Sequence, residues 1–136
     1  MNRTGRSERT EGADRTERTE RTEGADRTER AEGPEGTDRI DVPALAAALP
    51  QAWGSRVLGR VGPAAVKVLR MDGRPIPVER HAQTEVLLVL DGRLELVVDG
   101  SAVPVGPGGM YVVPAGVPHA VAAGSRGTLL IVEADA

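Results

Sequence analysis

From residue 55 onward the chain consists of short segments rich in Val and Leu, each soon interrupted by Gly, Pro or Asp. This spacing favours strands over helices, because β-branched residues suit a pleated surface and Gly and Pro end regular structure. We predict nine strands, at 55–61, 64–71, 76–81, 85–90, 93–98, 102–105, 110–113, 119–122 and 128–133. Many short antiparallel strands in succession indicate an all-β sandwich or barrel.

Turn signals lie between these segments. Asp91-Gly92 and Asp99-Gly100 are Asp-Gly pairs between apolar runs, and each predicts a β-hairpin. Residues 93–96 alternate polar and apolar side chains, as in a half-exposed strand. Residues 86–90 are apolar without a break, which predicts a strand covered on both faces, either by a second sheet or by a dimer partner. A homodimer would also help a domain this small to bury enough apolar surface.

The N-terminal part of the chain has a different composition. Residues 1–38 are almost entirely Arg, Glu, Thr, Gly, Asp and Ala, and the same nonamer occurs at 10–18 and at 22–30. Glu17 and Arg21 have a favourable helical spacing, but the segment has no side chain that could form a core. We therefore predict a disordered low-complexity tail at 1–38 and one folded domain at 39–136.

One short helix is predicted at the start of the folded domain. Asp41 and Pro43 suit a helix N-terminus, residues 44–49 are strong helix formers, and Pro50 ends the run. Trp53 follows, and we expect it to anchor this segment against the rest of the domain rather than to bind a ligand.

Composition excludes several classes of protein. The chain has no Cys, which rules out disulfides and zinc-thiolate sites. Its net charge of -3 and its scarcity of aromatic residues argue against a nucleic-acid binder. No apolar run is long enough for a membrane helix, and the charged start does not resemble a secretory signal, so we expect a soluble cytoplasmic protein.

The two His residues are the first candidates for chemistry. His81 and His119 are 38 residues apart and fall on different predicted strands. Glu79 precedes the first His by two residues, and Glu85 follows it by four. Residues two apart in a strand face the same side, so Glu79 and His81 are expected to point together.

The surroundings of both His residues resemble the two motifs of the cupin superfamily, in the version found in small single-domain members. Residues 79–85 with Gly92 are similar to the first motif, His-x-His followed by Glu and then Gly. Gly108, Pro114, Gly116 and His119 have the spacing of the second motif, Gly-x5-Pro-x-Gly-x2-His. Two motifs in the right order are a more specific signal than one, and the similarity extends over 67–133.

This resemblance implies a double-stranded jelly-roll β-barrel whose interior often holds a divalent metal. It assigns His81, Glu85 and His119 as metal ligands, and Glu79 stands where the family has its first His. Ala123 replaces an expected Asn, which is a second departure. Two imidazoles with one or two carboxylates suit Fe, Mn, Zn or Ni, and the sequence does not choose among them.

Three functions fit these observations. In the first, the protein binds a small polar ligand beside the metal and is non-enzymatic or sensory. In the second, the same metal serves an enzyme of the dioxygenase or isomerase type, which would need a further acid, base or anchoring cation. Candidates for such groups are few. Tyr111 is the only phenol and therefore a predicted ligand-binding residue. The nearby cations are Lys67 and Arg70 on one neighbouring strand, and Arg93 after the predicted Asp91-Gly92 turn. In the third, the domain is metal-free and structural or partner-binding.

Overall fold

The computed structural model describes residues 39–134. Within this range the chain forms one short helix and eight strands, so the predicted all-β class is confirmed. The tail predicted at 1–38 lies outside the described residues. The elements are α1 (Val42–Ala47), β1 (Arg56–Val61), β2 (Ala64–Asp72), β3 (Ile76–Glu79), β4 (Glu85–Val98), β5 (Ser101–Val105), β6 (Met110–Val113), β7 (His119–Val121) and β8 (Arg126–Ala134).

The long strand β4 belongs to two antiparallel sheets. Its first half pairs with β8 and β6, and β8 continues through β2 to β1. Its second half pairs with β5 on one side and with β7 on the other, and β7 pairs with β3. The two sheets enclose the main core, which contains Leu87 and Ile131 from the first sheet and Leu94 and Leu96 from the second.

The hairpin predicted at Asp91-Gly92 is wrong. The strands predicted at 85–90 and 93–98 are one continuous strand, and Asp91 and Gly92 lie inside it, opposite Thr128 and Gly127 of β8. The register shifts between Val89 and Asp91, which marks a bulge. A bulge bends a strand and increases its twist, and this bend carries β4 from one sheet into the other.

Gly92 is required at this bend for two reasons. Its φ is +81°, which favours glycine, and a Cβ at this position would lie 1.9 Å from the carbonyl oxygen of Arg126. Asp91 adds a hydrogen bond from the backbone N of Thr128 to its Oδ1 at 3.0 Å.

The second Asp-Gly pair does form the predicted hairpin. Val98 pairs with Ser101, so Asp99 and Gly100 are the two central residues of the turn between β4 and β5. Both have positive φ, at 50° and 85°, as a type I′ turn requires.

The helix also forms near its predicted position. Asp41 is the N-cap, and its Oδ1 accepts a hydrogen bond from the backbone N of Ala44 at 3.1 Å. The helix is shorter than predicted, because Ala48 is already its C-cap. Its Ala46 packs with Leu58 and Val68 in a second, smaller core on the outside of the first sheet.

The rest of that outer surface is apolar and only partly covered. Residues 86–90 were predicted to be covered on both faces, but in the single chain only the inner side chains of Leu87 and Val89 are buried. The register of β2, β8, β4 and β6 sets the outward side chains in two rows. We call these rows the outer apolar face: Val66, Val132, Val86 and Val112 in one, and Val68, Leu130, Leu88 and Met110 in the other. Within this face Val68 is already buried in the second core with Ala46 of α1.

Among residues 39–134, no helix has the length and apolar character needed to cross a membrane.

Candidate metal centre

Two strand registers bring four polar side chains to one end of the space between the sheets. In the β3–β7 pair Glu79 stands opposite His119, and in the β4–β8 pair Glu85 stands opposite Glu133. Directly opposed residues in an antiparallel pair point to the same face, so each register contributes two side chains. His81 joins them from the loop after β3, where its carbonyl accepts a hydrogen bond from the backbone N of Gly116 at 2.8 Å.

These residues line a cavity of about 230 Å³. The two His rings are close, with centroids 5.1 Å apart. Glu85 and His119 are buried, whereas the side chains of His81 and Glu79 are 31% and 48% exposed. The cluster therefore runs from a buried inner half to a half-exposed outer half.

The hydrogen bonds of His119 determine which of its nitrogens is free. Nδ1 lies 3.0 Å from the carbonyl oxygen of Val117, and because a carbonyl only accepts, Nδ1 carries the proton. In the neutral ring Nε2 is then a bare acceptor, yet it lies 3.2 Å from Oε1 of Glu85, which is also an acceptor when ionised. Two facing acceptors need a positive charge between them, either a proton or a metal ion.

Glu85 holds its proton more tightly than an ordinary carboxyl. Burial is the largest cause that raises its pKa, and the negative charge of Glu133 acts in the same direction. His81 and His119 oppose the shift without cancelling it. In the absence of a metal, this raised pKa allows a proton to occupy the position between Glu85 and His119.

His81 has a carboxylate at each ring nitrogen. Its Nε2 lies 2.8 Å from Oε1 of Glu79, and its Nδ1 lies 3.6 Å from Oε1 of Glu133. Burial favours the neutral ring, but the hydrogen bond to Glu79 and the charges of Glu85 and Glu133 outweigh it and raise the pKa of His81.

Two overlapping sets of residues could hold a divalent ion. One consists of Glu79, His81 and His119, and the other of His81, Glu85 and Glu133, with the ligand atoms of each set within 4.8 Å of one another. Two atoms bound to one ion are at most about 4.2 Å apart, because each bond is about 2.1 Å long, so small rotations would complete either set. Nitrogen and oxygen ligands of this kind fit the transition metals predicted from the sequence.

The donor set and the facing acceptors of Glu85 and His119 therefore fit a metal ion. Such an ion would supply a Lewis acid with positions open to a small molecule. The protein contributes the fixed Nδ1–H of His119, which orients the ring, and the buried walls that limit access of water.

The structure brings the four predicted metal ligands, Glu79, His81, Glu85 and His119, to a single cavity. It does not bring Tyr111 there, since Tyr111 packs against the main core and is not among the residues that line this cavity.

Glu133 was missed by the sequence analysis, which considered Lys67 only as one of three cations near the predicted site. Lys67 Nζ forms an ion pair with Oε2 of Glu133 at 2.9 Å, and both side chains line the cavity. A signal for Glu133 was present in the sequence, because it continues the inward alternation of Leu129 and Ile131 along β8. Trp53 also lines the cavity, with its indole N–H donating to Oδ1 of Asp72 at 2.7 Å.

Two sheets that share a bent strand, with a His and Glu cluster between them that could hold a metal ion, form a small β-barrel. The family model described as the cupin domain matches residues 68–134, from β2 to the end of β8. The chain therefore belongs to the cupin superfamily through a domain of the cupin-2 type, and the predicted jelly-roll fold is confirmed.

Solved structures agree with this assignment. A cupin-2 domain-containing protein from Shewanella frigidimarina is 25% identical, with a TM-score of 0.66 over 72% of this chain and 96% of that one. A protein from Neisseria meningitidis is 21% identical, with a TM-score of 0.62 over 71% and 99%. A cupin superfamily protein from Desulfitobacterium hafniense is 19% identical, with a TM-score of 0.59 over 76% and 95%. A comparison with curated proteins finds no significant match.

Proposed function

We propose that this cupin domain binds one divalent transition-metal ion, through His81, His119 and the neighbouring carboxylates, and holds a small polar ligand beside it in a non-enzymatic or sensory role. The arrangement of Glu85 and His119 carries the proposal. Their facing acceptor atoms are 3.2 Å apart and enclosed by protein, and a cation between them would satisfy both.

Ligand binding is favoured over a reaction by what else lines the cavity. Apart from the cluster and Trp53, the described lining residues with polar side chains are Ser55 and Lys67. The ammonium of Lys67, paired with Glu133, can hold an anion but has no lone pair with which to act as a base, and the indole of Trp53 donates to Asp72. A cavity of about 230 Å³ is also smaller than the roughly 300–1,000 Å³ of sites for drug-sized molecules, so the ligand is small.

The proposal is tested by titrating zinc into the chelator-treated full-length protein, with calorimetry and elemental analysis as readouts. We expect one ion per chain and a higher melting temperature with zinc, because a ligand that binds only the folded state stabilises it. The affinity is expected to fall from pH 7 to pH 5, since His81 and Glu85 both have raised pKa values and must lose their protons to bind the ion. If no zinc binds even at concentrations far above that of the protein, the proposal is contradicted.

We also propose that two copies associate through the part of the outer apolar face that α1 leaves uncovered. A two-fold interface places the same patch of both copies together, and none of the eight side chains in these rows is charged, so no like charges would meet. Val112 and Met110, at the β6 edge, are 46% and 59% exposed in the single chain. Their burial in a dimer would remove apolar surface from water.

Val112→Glu is expected to convert a dimer into a monomer at micromolar concentration, as measured by light scattering after size exclusion. The buried charge would lack a partner in the interface. Val78→Glu is the matched control, because Val78 is 67% exposed on β3 in the other sheet. A monomeric unsubstituted protein, or equal effects of the two substitutions, would count against this interface.

A further inference from the structure

Lys67 is the only lysine in the chain, and the other 16 of the 17 basic residues are arginines. It lies on β2 with a side chain that is 18% exposed, and it lines the cavity. Among the described residues that line this cavity, no other is a lysine or an arginine. The ammonium of Lys67, the only one on a side chain of this protein, therefore lies where a bound ligand would lie.

The partner of Lys67 shows what this ammonium can bind. Oε2 of Glu133 lies 2.9 Å from Nζ of Lys67, while Oε1 of the same carboxylate lies 3.6 Å from Nδ1 of His81. One carboxylate thus spans the distance between the ammonium and the His and Glu cluster. A carboxylate on a small ligand in this cavity would compete with Glu133 for the ammonium of Lys67.

The charges of the enclosed groups favour such a ligand once a metal is bound. Glu85 and Glu133 are the enclosed carboxylates, whereas Glu79 is 48% exposed and its charge is screened by water. When the ion is held by His81, Glu85 and Glu133, with Glu79 outside its coordination sphere, the two enclosed carboxylates, one ammonium and one divalent ion leave a single positive charge. In a cavity with low-dielectric walls, one anionic group would neutralise that charge favourably.

Apart from Trp53 and Ser55, the remainder of the cavity wall is aliphatic. Leu69, Leu87, Leu94 and Ile131 are among its lining residues, and each is also part of the buried main core. These side chains offer no hydrogen bonds, so the part of a ligand that reaches them is apolar. Since the cavity is small, that part is a short aliphatic chain.

We propose that the cavity takes a small monocarboxylic acid with a short aliphatic chain, and that Lys67 anchors its carboxylate beside the metal. This inference rests on the proposed metal function. It assigns Lys67 as the residue that distinguishes an acid from a neutral molecule of the same shape.

The test compares 4-methylpentanoate with 4-methylpentanamide, which has nearly the same shape without the charge. Calorimetric titration of the zinc-loaded full-length protein is expected to show at least about tenfold tighter binding of the acid. Because zinc alone also attracts carboxylates, the decisive variant is Lys67→Met, in which the preference is expected to fall below about threefold while zinc still binds.

Two further variants separate the role of Lys67 from a folding defect. Lys67→Met leaves Glu133 without its partner, so the double variant Lys67→Met with Glu133→Gln restores the charge balance and is expected to show the same lost preference. Glu133→Gln alone, in zinc-saturated protein, is expected to bind the acid at least about threefold tighter, because Lys67 no longer has an internal competitor. Arg93→Met removes a cation whose side chain is 53% exposed. It is the control, and we expect it to leave the affinities for the acid and the amide unchanged.

The outcomes distinguish this inference from the proposed function. If Lys67→Met keeps the full preference for the acid while zinc still binds, the metal alone selects the ligand and the inference is overturned. If zinc does not bind at all, the proposed function fails. The comparison of the acid with the amide on the metal-free protein then tests the role of Lys67. A preference for the acid that depends on Lys67 would then support the anchor, and equal or absent binding of both compounds would overturn it.

Discussion

Replacing His119 with alanine is expected to weaken zinc binding by at least about 100-fold, equivalent to about 2.8 kcal/mol, while the barrel stays folded. His119 is buried, and its Nε2 is the nitrogen that faces the cluster, because Nδ1 is bonded to the carbonyl of Val117. Glu85 can take up a proton when its neighbour is removed, since its pKa is already raised by burial. Calorimetry gives the affinity, and circular dichroism gives the melting temperature of the same variant.

The carboxylates of β4 supply a matched comparison for this prediction. Glu85→Gln removes a charge that lies 3.2 Å from His119, and we expect it to weaken zinc binding. The control is Glu95→Gln, which removes a charge on the same strand that pairs with Arg93. Glu95 is not among the described residues that line the cavity. Equal zinc affinities in the unsubstituted protein and the His119→Ala variant would place the ion elsewhere or exclude it.

Replacing Gly92 with alanine is expected to lower the free energy of unfolding by about 3 kcal/mol or more, and the melting temperature by at least about 12 °C. The added Cβ would lie 1.9 Å from the carbonyl oxygen of Arg126 and 2.8 Å from Cα of Gly127, both of which are backbone atoms. A side chain could rotate away from such a contact, but paired backbone cannot move without breaking the β4–β8 ladder. Thermal and urea unfolding of the two proteins measure the effect.

Gly100→Ala is the control, because Gly100 is also the second residue of an Asp-Gly pair. Its φ of 85° is close to the 81° of Gly92, but a Cβ added at Gly100 would have no neighbouring atom within 4 Å. This substitution therefore carries the conformational cost alone, about 1 kcal/mol and about 5 °C. Similar losses in the two variants would show that the close approach of β4 and β8 does not matter.

These two glycines also show how far the sequence predicts the fold. Strand positions followed from composition and from Gly and Pro spacing, and most predicted strands lie within two residues of the observed ones. Asp91-Gly92 and Asp99-Gly100 have the same local preference for positive φ, yet one forms a bend inside a strand and the other forms a hairpin. The difference lies in β8, which pairs across Gly92 from a distant part of the chain and is not visible to a local pattern.

The site was predictable where a motif marked it and not elsewhere. His81, His119, Glu79 and Glu85 were identified from two short patterns, and they meet at one cavity. Glu133 and Lys67 lie outside both patterns, and only the β2–β8 and β4–β8 registers bring them to the cluster. Tyr111 was chosen because it is the only phenol in the chain, and chemical scarcity does not determine which way a side chain points.

The shared strand β4 has a consequence for the way this domain opens. Glu85 begins β4 in the first sheet, while Val98, at its other end, pairs with His119 in the second sheet. A sheet that peeled away from its neighbour would have to take half of this strand with it and expose the packed interior. The two sheets are therefore not independent lobes, and the position of Glu85 relative to His119 depends on β4 along its whole length.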